Sequence, residues 1–192
     1  SSTCELLFEL FQEIKFKMNK DLAKLLYAGI MTDTGSFRFE NTSSKTFAII
    51  AELVKFGISV PDMYERLYRG IPSKDIRNFV EVIHQAELLY NNKVYCVSLP
   101  KSIMDGFSNN FDLKEKVFGF LRSVEGIEVV VILSEVTPHQ TRINFRSQNS
   151  FDVAKFSSRF NGGGHRRAAG AKLEISLSQA KKKILTALKK SL

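Results

Sequence analysis

The chain has 192 residues, 44% of them hydrophobic and 25% charged, with a formal net charge of +8. Those proportions are ordinary for a globular protein of one or two domains and exclude a disordered chain. No apolar run reaches the ~20 residues of a membrane span, and no secretory pattern opens the sequence.

The chain begins with helix signals. Ser2-Thr3-Cys4-Glu5 fits a capping box, and Leu6, Leu7, Leu10, Phe11 and Ile14 follow at helical spacing. A second helix is expected through "DLAKLLYAGIM", with Leu22, Leu25, Leu26 and Ile30 as its apolar face. "TDTGSFRFENT" breaks that pattern. A third helix starts near Ser43–Ser44 and stops at Gly57, a residue suited to a helix C-terminus. Pro61 opens a short fourth helix ending near Gly70. Ser73 is expected to cap a fifth, with Ile76, Phe79, Val80 and Ile83 as its stripe. The texture changes after Leu88. "ELLYNNKVYCVSLP" reads as two strands around an Asn91-Asn92 turn. A helix is expected from about Leu113 to Arg122, then a buried strand "IEVVVILSEV", a "TPHQ" turn and an antiparallel partner "TRINFRS". Asp152 caps a helix "DVAKFSSRF" that runs into Gly162-Gly163-Gly164. "AGAKLEI" is the last strand, and a basic helix follows it. The fold class is therefore α/β, in the α+β sense: a helical part over residues 1–88 and a mixed sheet with flanking helices over 89–192.

Charge is unevenly placed. Gln140 to Leu192 carries twelve Lys/Arg against two acids, Asp152 and Glu174, while the remainder holds 16 basic and 18 acidic residues. A basic face implies a polyanionic partner such as nucleic acid or nucleotide, although the terminal helix "QAKKKILTALKK" supplies five of those twelve charges. The segment "FNGGGHRRAAGA" lies in the basic part. Glycine is entropically costly, and its return is close approach: N–H groups without Cβ neighbours can line up on an oxyanion. Arg166 and Arg167 would add charge, and Ala168, Ala169 and Gly170 suit close packing beneath. No Gly-Lys-Ser/Thr follows, so this is not a Walker loop; an ordinary surface turn is the competing reading.

Asp33 falls at a helix C-terminus, where the macrodipole disfavours a carboxylate. Either Arg38 or a divalent cation would offset that. Arg146 and Ser147 end a strand; the arginine fork suits phosphate, or else a salt bridge, with Asp152 as one partner. His84 reads as packing and His139 as an exposed turn residue. Cys4 and Cys96 stand in no metal spacing, so two buried thiols in a reduced, cytoplasmic setting are expected. The first residues, "SSTCELL", lack an initiator methionine and read as mid-protein.

"TDTGSFRF" together with "INFRSQNSFDVAKFSSRFNGGGHRRAAGA" resembles the DHH phosphoesterase family, and within it the bacterial nanoRNase/pAp-phosphatase branch. The resemblance covers the whole chain. It implies two lobes, the first with a two-ion centre of Mn²⁺ or Mg²⁺, the second gripping substrate phosphate and base. Carried over, Asp33 is a metal ligand and catalytic residue, Arg146 and Ser147 contact substrate, and Gly163, Gly164 and His165 form the phosphate grip. The family's Asp-x-Asp and Asp-His-His motifs are absent, so the chain is expected to be the second half of such an enzyme, inactive alone. The implied function is hydrolysis of short RNA or DNA oligonucleotides, as a 3′–5′ exonuclease, or of 3′-phosphoadenosine 5′-phosphate. No membrane partner is implied, and a homodimer is admitted. The alternative is a non-catalytic RNA-binding module, similar to the C-terminal domain of alanyl-tRNA synthetase.

Overall fold

The structure is a computed structural model that describes residues 2–39, 41–68, 70–148 and 150–192. The chain divides into two compact units, Ser1–Gly70 and Ile71–Leu192. The boundary expected after residue 88 falls inside the second of them.

The first unit is helical: α1 (Thr3–Glu13), α2 (Lys20–Asp33), α3 (Ser44–Val54) and α4 (Val60–Leu67). Its core gathers Phe8, Ala23, Leu26, Tyr27, Ile30, Met31, Ile49, Leu53 and Ile58. On α2 the buried residues follow the i, i+3, i+4 pattern from Ala23, so the inward face is rotated from the expected one and Leu25 is 70% exposed. On α1, Leu6, Leu7, Leu10 and Ile14 are exposed, whereas Glu5 and Phe8 are buried. Polar and steric contacts chose that face. Ser2 accepts a hydrogen bond from the Glu5 N–H, but only this half of the capping box forms. The Glu5 carboxylate instead accepts from the Thr46 hydroxyl at 2.7 Å, and Thr46 belongs to the capping box that opens α3. Cys4 packs against α2 at Gly29, where a Cβ would lie 2.2 Å from its sulfur.

The second unit begins with α5 (Ile76–His84), whose N-terminal flanking residue is Asp75 rather than Ser73 and gives the helix no side-chain capping bond. The buried Asp75 carboxylate accepts from both N–H and hydroxyl of Ser108. Phe79 and Val82 point inward while Ile76 and Val80 are exposed, and His84 is exposed rather than packed. Strands β1 (Glu87–Leu89) and β2 (Val94–Leu99) flank three residues with positive φ, Tyr90, Asn91 and Asn92. A crossover through α6 (Lys101–Met104) and α7 (Leu113–Leu121) leads to β3 (Val129–Thr137), which pairs parallel with β2. β4 (Gln140–Ser147), α8 (Val153–Ser158), β5 (Gly163–His165), β6 (Ala168–Leu173) and α9 (Leu177–Lys189) follow. The six strands form one mixed sheet in the order β1-β2-β3-β4-β6-β5.

Helices cover the two faces unequally. Val129, Val131, Leu133, Ile143, Phe145, Ala169 and Ala171 pack with α8 and α9 around Phe156, Ile184 and Leu188. On the other face Val97, Leu99, Val130 and Ile132 pack with α5 and α7 around Phe79, Val117 and Phe118. β3 is thus buried on both sides, which accounts for its unbroken apolar run. The β4-β6-β5 end continues the α5/α7 face, and there its residues turn polar or small.

Candidate functional site

The sheet register decides which sequence candidates meet. On β4, odd-numbered Thr141, Ile143, Phe145 and Ser147 are buried, while Arg142, Asn144 and Arg146 point to the other face. Arg146 pairs across to Ala168, which pairs on to His165 of β5. Asn144 pairs to Gly170, and Gly170 to Gly163. Arg142 pairs to Lys172. Directly opposed residues share a face, so Arg146, His165, Asn144, Gly163, Arg142 and Lys172 form successive rows on one platform. Strands about 4.8 Å apart put Arg146 and His165 about 10 Å from each other, over a floor of Ala168 and Gly170.

A cleft of about 390 Å³ opens on this platform, lined by Arg142, Asn144, Asn161, Gly162, Gly163, Gly170 and Lys172 among others. Gly163 belongs to it, while Arg146, Ser147, Gly164 and His165 are not among its lining residues. Arg142, Asn144, Asn161 and Lys172 were missed, although the alternation of "TRINFRS" already put Arg142 and Asn144 on the face of Arg146. The Asn144 Oδ1 atom is buried and has no hydrogen-bond partner among the described residues, an arrangement that leaves an acceptor for an incoming donor.

The glycine segment is an edge strand rather than a loop. Asn161, with φ +57°, closes the turn that follows α8, and the Gly162 N–H returns to the Ser157 carbonyl at 3.1 Å. The glycines then differ in duty. A Cβ on Gly162 would sit 2.3 Å from the Gly170 oxygen; one on Gly164, where φ is +142°, would sit 2.4 Å from the Ala168 oxygen. A Cβ on Gly163 would meet nothing within 4 Å. The outer two glycines are therefore demanded by packing, and the middle one leaves open space against the backbone of a strand edge, whose outward N–H groups have no ladder partner.

The remaining candidates are placed as follows. Arg146 is ion-paired with Glu115 at 2.5 Å, not with Asp152, and its guanidinium lies 4.8 Å above the Phe118 ring. Asp152 caps α8. Ser147 is buried on the opposite face of the sheet, where its hydroxyl donates to the Arg166 carbonyl at 3.4 Å and its N–H to the Arg167 carbonyl at 3.1 Å. Ser147 thereby tethers the turn that follows His165. Gly164, paired with Ala169, also belongs to that opposite face. His165, Arg166, Arg167 and His139 are exposed.

Asp33 sits at the end of α2, exposed, and among the described residues its carboxylate takes no hydrogen bond or ion pair. Arg38 does not neutralise it: its Nε donates to the Gly35 carbonyl at 2.8 Å. Three consecutive residues after Thr34 have positive φ: Gly35, Ser36 and Phe37. Two of these are not glycine, so backbone strain is concentrated beside Asp33. Thr34 holds the turn, donating to the Ile30 carbonyl at 2.7 Å and accepting from the Phe37 N–H. Burial, and secondarily the nearby Asp33 charge, push the Cys4 thiol up. A single carboxylate suits Mn²⁺ or Mg²⁺ as one ligand. Among the described residues, however, no three His, Cys, Asp or Glu side chains gather as a metal site, so these residues do not by themselves hold the expected pair of ions.

Comparison with known proteins gives this arrangement a family. The chain is 31% identical over 176 residues to the bifunctional oligoribonuclease and PAP phosphatase NrnA of Bacillus subtilis, a match covering 90% of this chain and 55% of that protein. It is 28% identical over 193 residues to the NrnA protein of Thermus thermophilus, covering 100% and 57%. A crystal structure of an exopolyphosphatase-related protein from Bacteroides fragilis superposes with a TM-score of 0.89 at 27% identity, over 99% of this chain and 56% of that one. The chain thus spans about half the length of the curated relatives it matches. Residues 95–192 match the DHHA1 domain, and the chain belongs to that family of DHH-type proteins.

Proposed function

We propose that the chain is the substrate-gripping part of a divalent-metal phosphoesterase that hydrolyses short oligonucleotides and 3′-phosphoadenosine 5′-phosphate. The observation that carries this reading is the platform itself: Arg142, Asn144, Arg146, Gly163, His165 and Lys172 share one sheet face, and Arg142, Asn144, Gly163 and Lys172 line a cleft on it. Each group has a task suited to its chemistry. The strand edge at Gly163 offers N–H donors to a phosphate oxygen, and His165 and Arg146 flank it. Glu115 and Phe118 hold the Arg146 guanidinium flat, so its planar fork is presented in one orientation. The unpartnered Asn144 oxygen accepts from a base amine or a sugar hydroxyl. Asp33, held by the strained turn and free of Arg38, contributes one carboxylate to the metal centre of the intact protein, and a bound divalent pair would activate water there. This reading places the protein in the cytoplasm.

The test is hydrolysis of a dinucleotide and of 3′-phosphoadenosine 5′-phosphate by the intact protein with Mn²⁺, beside binding of both ligands to the 192-residue chain. Turnover by the intact protein, with kcat/KM reduced about tenfold or more by His165→Ala, supports the reading. RNA binding without any turnover would replace it by the non-catalytic RNA-binding module.

A further inference from the structure

A second cavity, of about 260 Å³, opens where β3 and β4 meet the helices of the crossover. Lys101, Met104, Asp105, Lys114, Ser134, Glu135, Val136 and Arg142 line it, and Arg142 is the residue it shares with the cleft beside Gly163. The register continues into it: Ser134 pairs with Arg142, and Arg142 with Lys172, on the same sheet face.

Its electrostatics favour an anion. Among the described residues, Lys101, Lys114 and Arg142 enter no ion pair, although three cations converge on one small space. Asp105 and Glu135 are the acids present, and Glu135 is partly occupied, accepting from the Lys101 N–H at the start of α6 at 2.9 Å. Burial, and next the proximity of Arg142, hold Lys114 below the usual lysine range, with Asp112 opposing them only in part. Ser134 is only 1% exposed, and its hydroxyl has no hydrogen-bond partner among the described residues. A buried hydroxyl without a partner in a cavity walled by unpaired cations is an incomplete hydrogen-bond set that an oxyanion would complete.

We infer that this cavity is a second phosphate subsite, in which Lys101, Lys114 and Ser134 hold a backbone phosphate of an oligonucleotide whose terminal nucleotide lies in the cleft beside Gly163. The inference rests on the proposed function and adds a length preference to it. Gly163 on β5 and Ser134 on β3 lie three strand spacings apart across the sheet, about 14 Å at ~4.8 Å per spacing, so a ligand with one nucleotide fills the first cleft without reaching Ser134 and Lys114, whereas a tetranucleotide spans both. Arg142 bridges the two phosphates.

Binding of a tetranucleotide and of 3′-phosphoadenosine 5′-phosphate to the full chain tests this, by fluorescence anisotropy over a range of salt. Lys101→Gln combined with Lys114→Gln is expected to weaken the tetranucleotide about tenfold. The slope of log affinity against log salt should flatten by about 0.7 for each phosphate contact removed. The bisphosphate should bind as before. Ser134→Ala, nearly isosteric in its buried position, should weaken the tetranucleotide alone, which a diffuse charge effect would not do. Unchanged tetranucleotide affinity, an equal loss for both ligands, or a loss in the lysine variant but none in Ser134→Ala overturns the second subsite and leaves the proposed function standing. A wild-type chain that binds neither ligand overturns both.

Discussion

The three glycines before His165 have separable roles, and single alanine substitutions measure them. At Gly164 the added Cβ would lie 2.4 Å from the Ala168 oxygen and 2.6 Å from the Ala169 Cα, on a backbone at φ +142°. Neither obstacle is a flexible side chain; both belong to β6, whose pairing with β4 fixes them. The conformational cost for a non-glycine residue there is about 1–3 kcal/mol, and the overpacking adds about 1–3 kcal/mol. The lower chain entropy of alanine in the unfolded state returns about 0.4–1 kcal/mol. The net expectation for Gly164→Ala is a loss of about 1–5 kcal/mol, centred near 3. With a urea m-value of about 2 kcal/mol/M, the unfolding midpoint should fall by about 0.5–2.5 M, centred near 1.5 M. Gly163→Ala faces open space and should move the midpoint by no more than about 0.3 M, since surface changes of this kind stay within about 0.5 kcal/mol. Binding should show the reverse ranking, with Gly163→Ala weakening 3′-phosphoadenosine 5′-phosphate in a protein of normal stability. Urea melts followed by circular dichroism, together with ligand titration on one preparation, give both numbers. A neutral Gly164→Ala, or a Gly163→Ala that loses stability but keeps full affinity, would refute this division of labour.

Other outcomes follow from single contacts. Asp33→Asn should leave the thermal midpoint unchanged or slightly higher, by up to about 1 kcal/mol, because it removes a charge from a helix C-terminus, while abolishing turnover of the intact protein; retained turnover at saturating Mn²⁺ would remove Asp33 from the chemistry. Thr46→Val should cost about 1–3 kcal/mol by leaving the buried Glu5 carboxylate without the 2.7 Å bond it accepts, and a neutral melt would show that water or another donor replaces it. The Cys96 thiol, pushed up to about 12 chiefly by burial, should resist iodoacetamide at pH 8 in the folded chain while Cys4 reacts first. The sign of its linkage to folding is fixed: the thiol's contribution is whole below its ordinary value and is lost as pH rises through about 12, because the unfolded chain ionises first. Cys96→Ala should therefore flatten the fall in stability above pH 9, and an unchanged pH profile would contradict it.

Where one periodicity ruled, the elements were readable. β3 is apolar on both faces and sits mid-sheet; the β3–β4 hairpin, the Asp152-capped α8 and the closing helix α9 all appear where local pattern put them. Reading failed where apolar residues outnumbered what one face could bury. On α1, leucines surround the helix, and the buried side was chosen by Glu5 reaching Thr46, 41 residues away, and by Cys4 fitting over Gly29. Neither contact has a local signature. The same holds for α5, which starts after Asp75 and not at Ser73, the Asp75 carboxylate being engaged by Ser108, 33 residues away.

The site was half legible for a related reason. Alternation within β4 assigns Arg142, Asn144 and Arg146 to one face and Ser147 to the other, and that much needs no partner strand. What places His165 beside Arg146, and Gly163 beside Asn144, is pairing across β6, a matter of register rather than of pattern. The observed register requires small residues: Gly162 and Gly164 tolerate no Cβ against the Gly170 and Ala168 carbonyls. A slip of one residue would reverse every side chain, burying His165 and turning Gly164 outward. Two of the glycines permit the close approach of β5 and β6 that sets His165 on the platform, and the third leaves open space beside the strand edge.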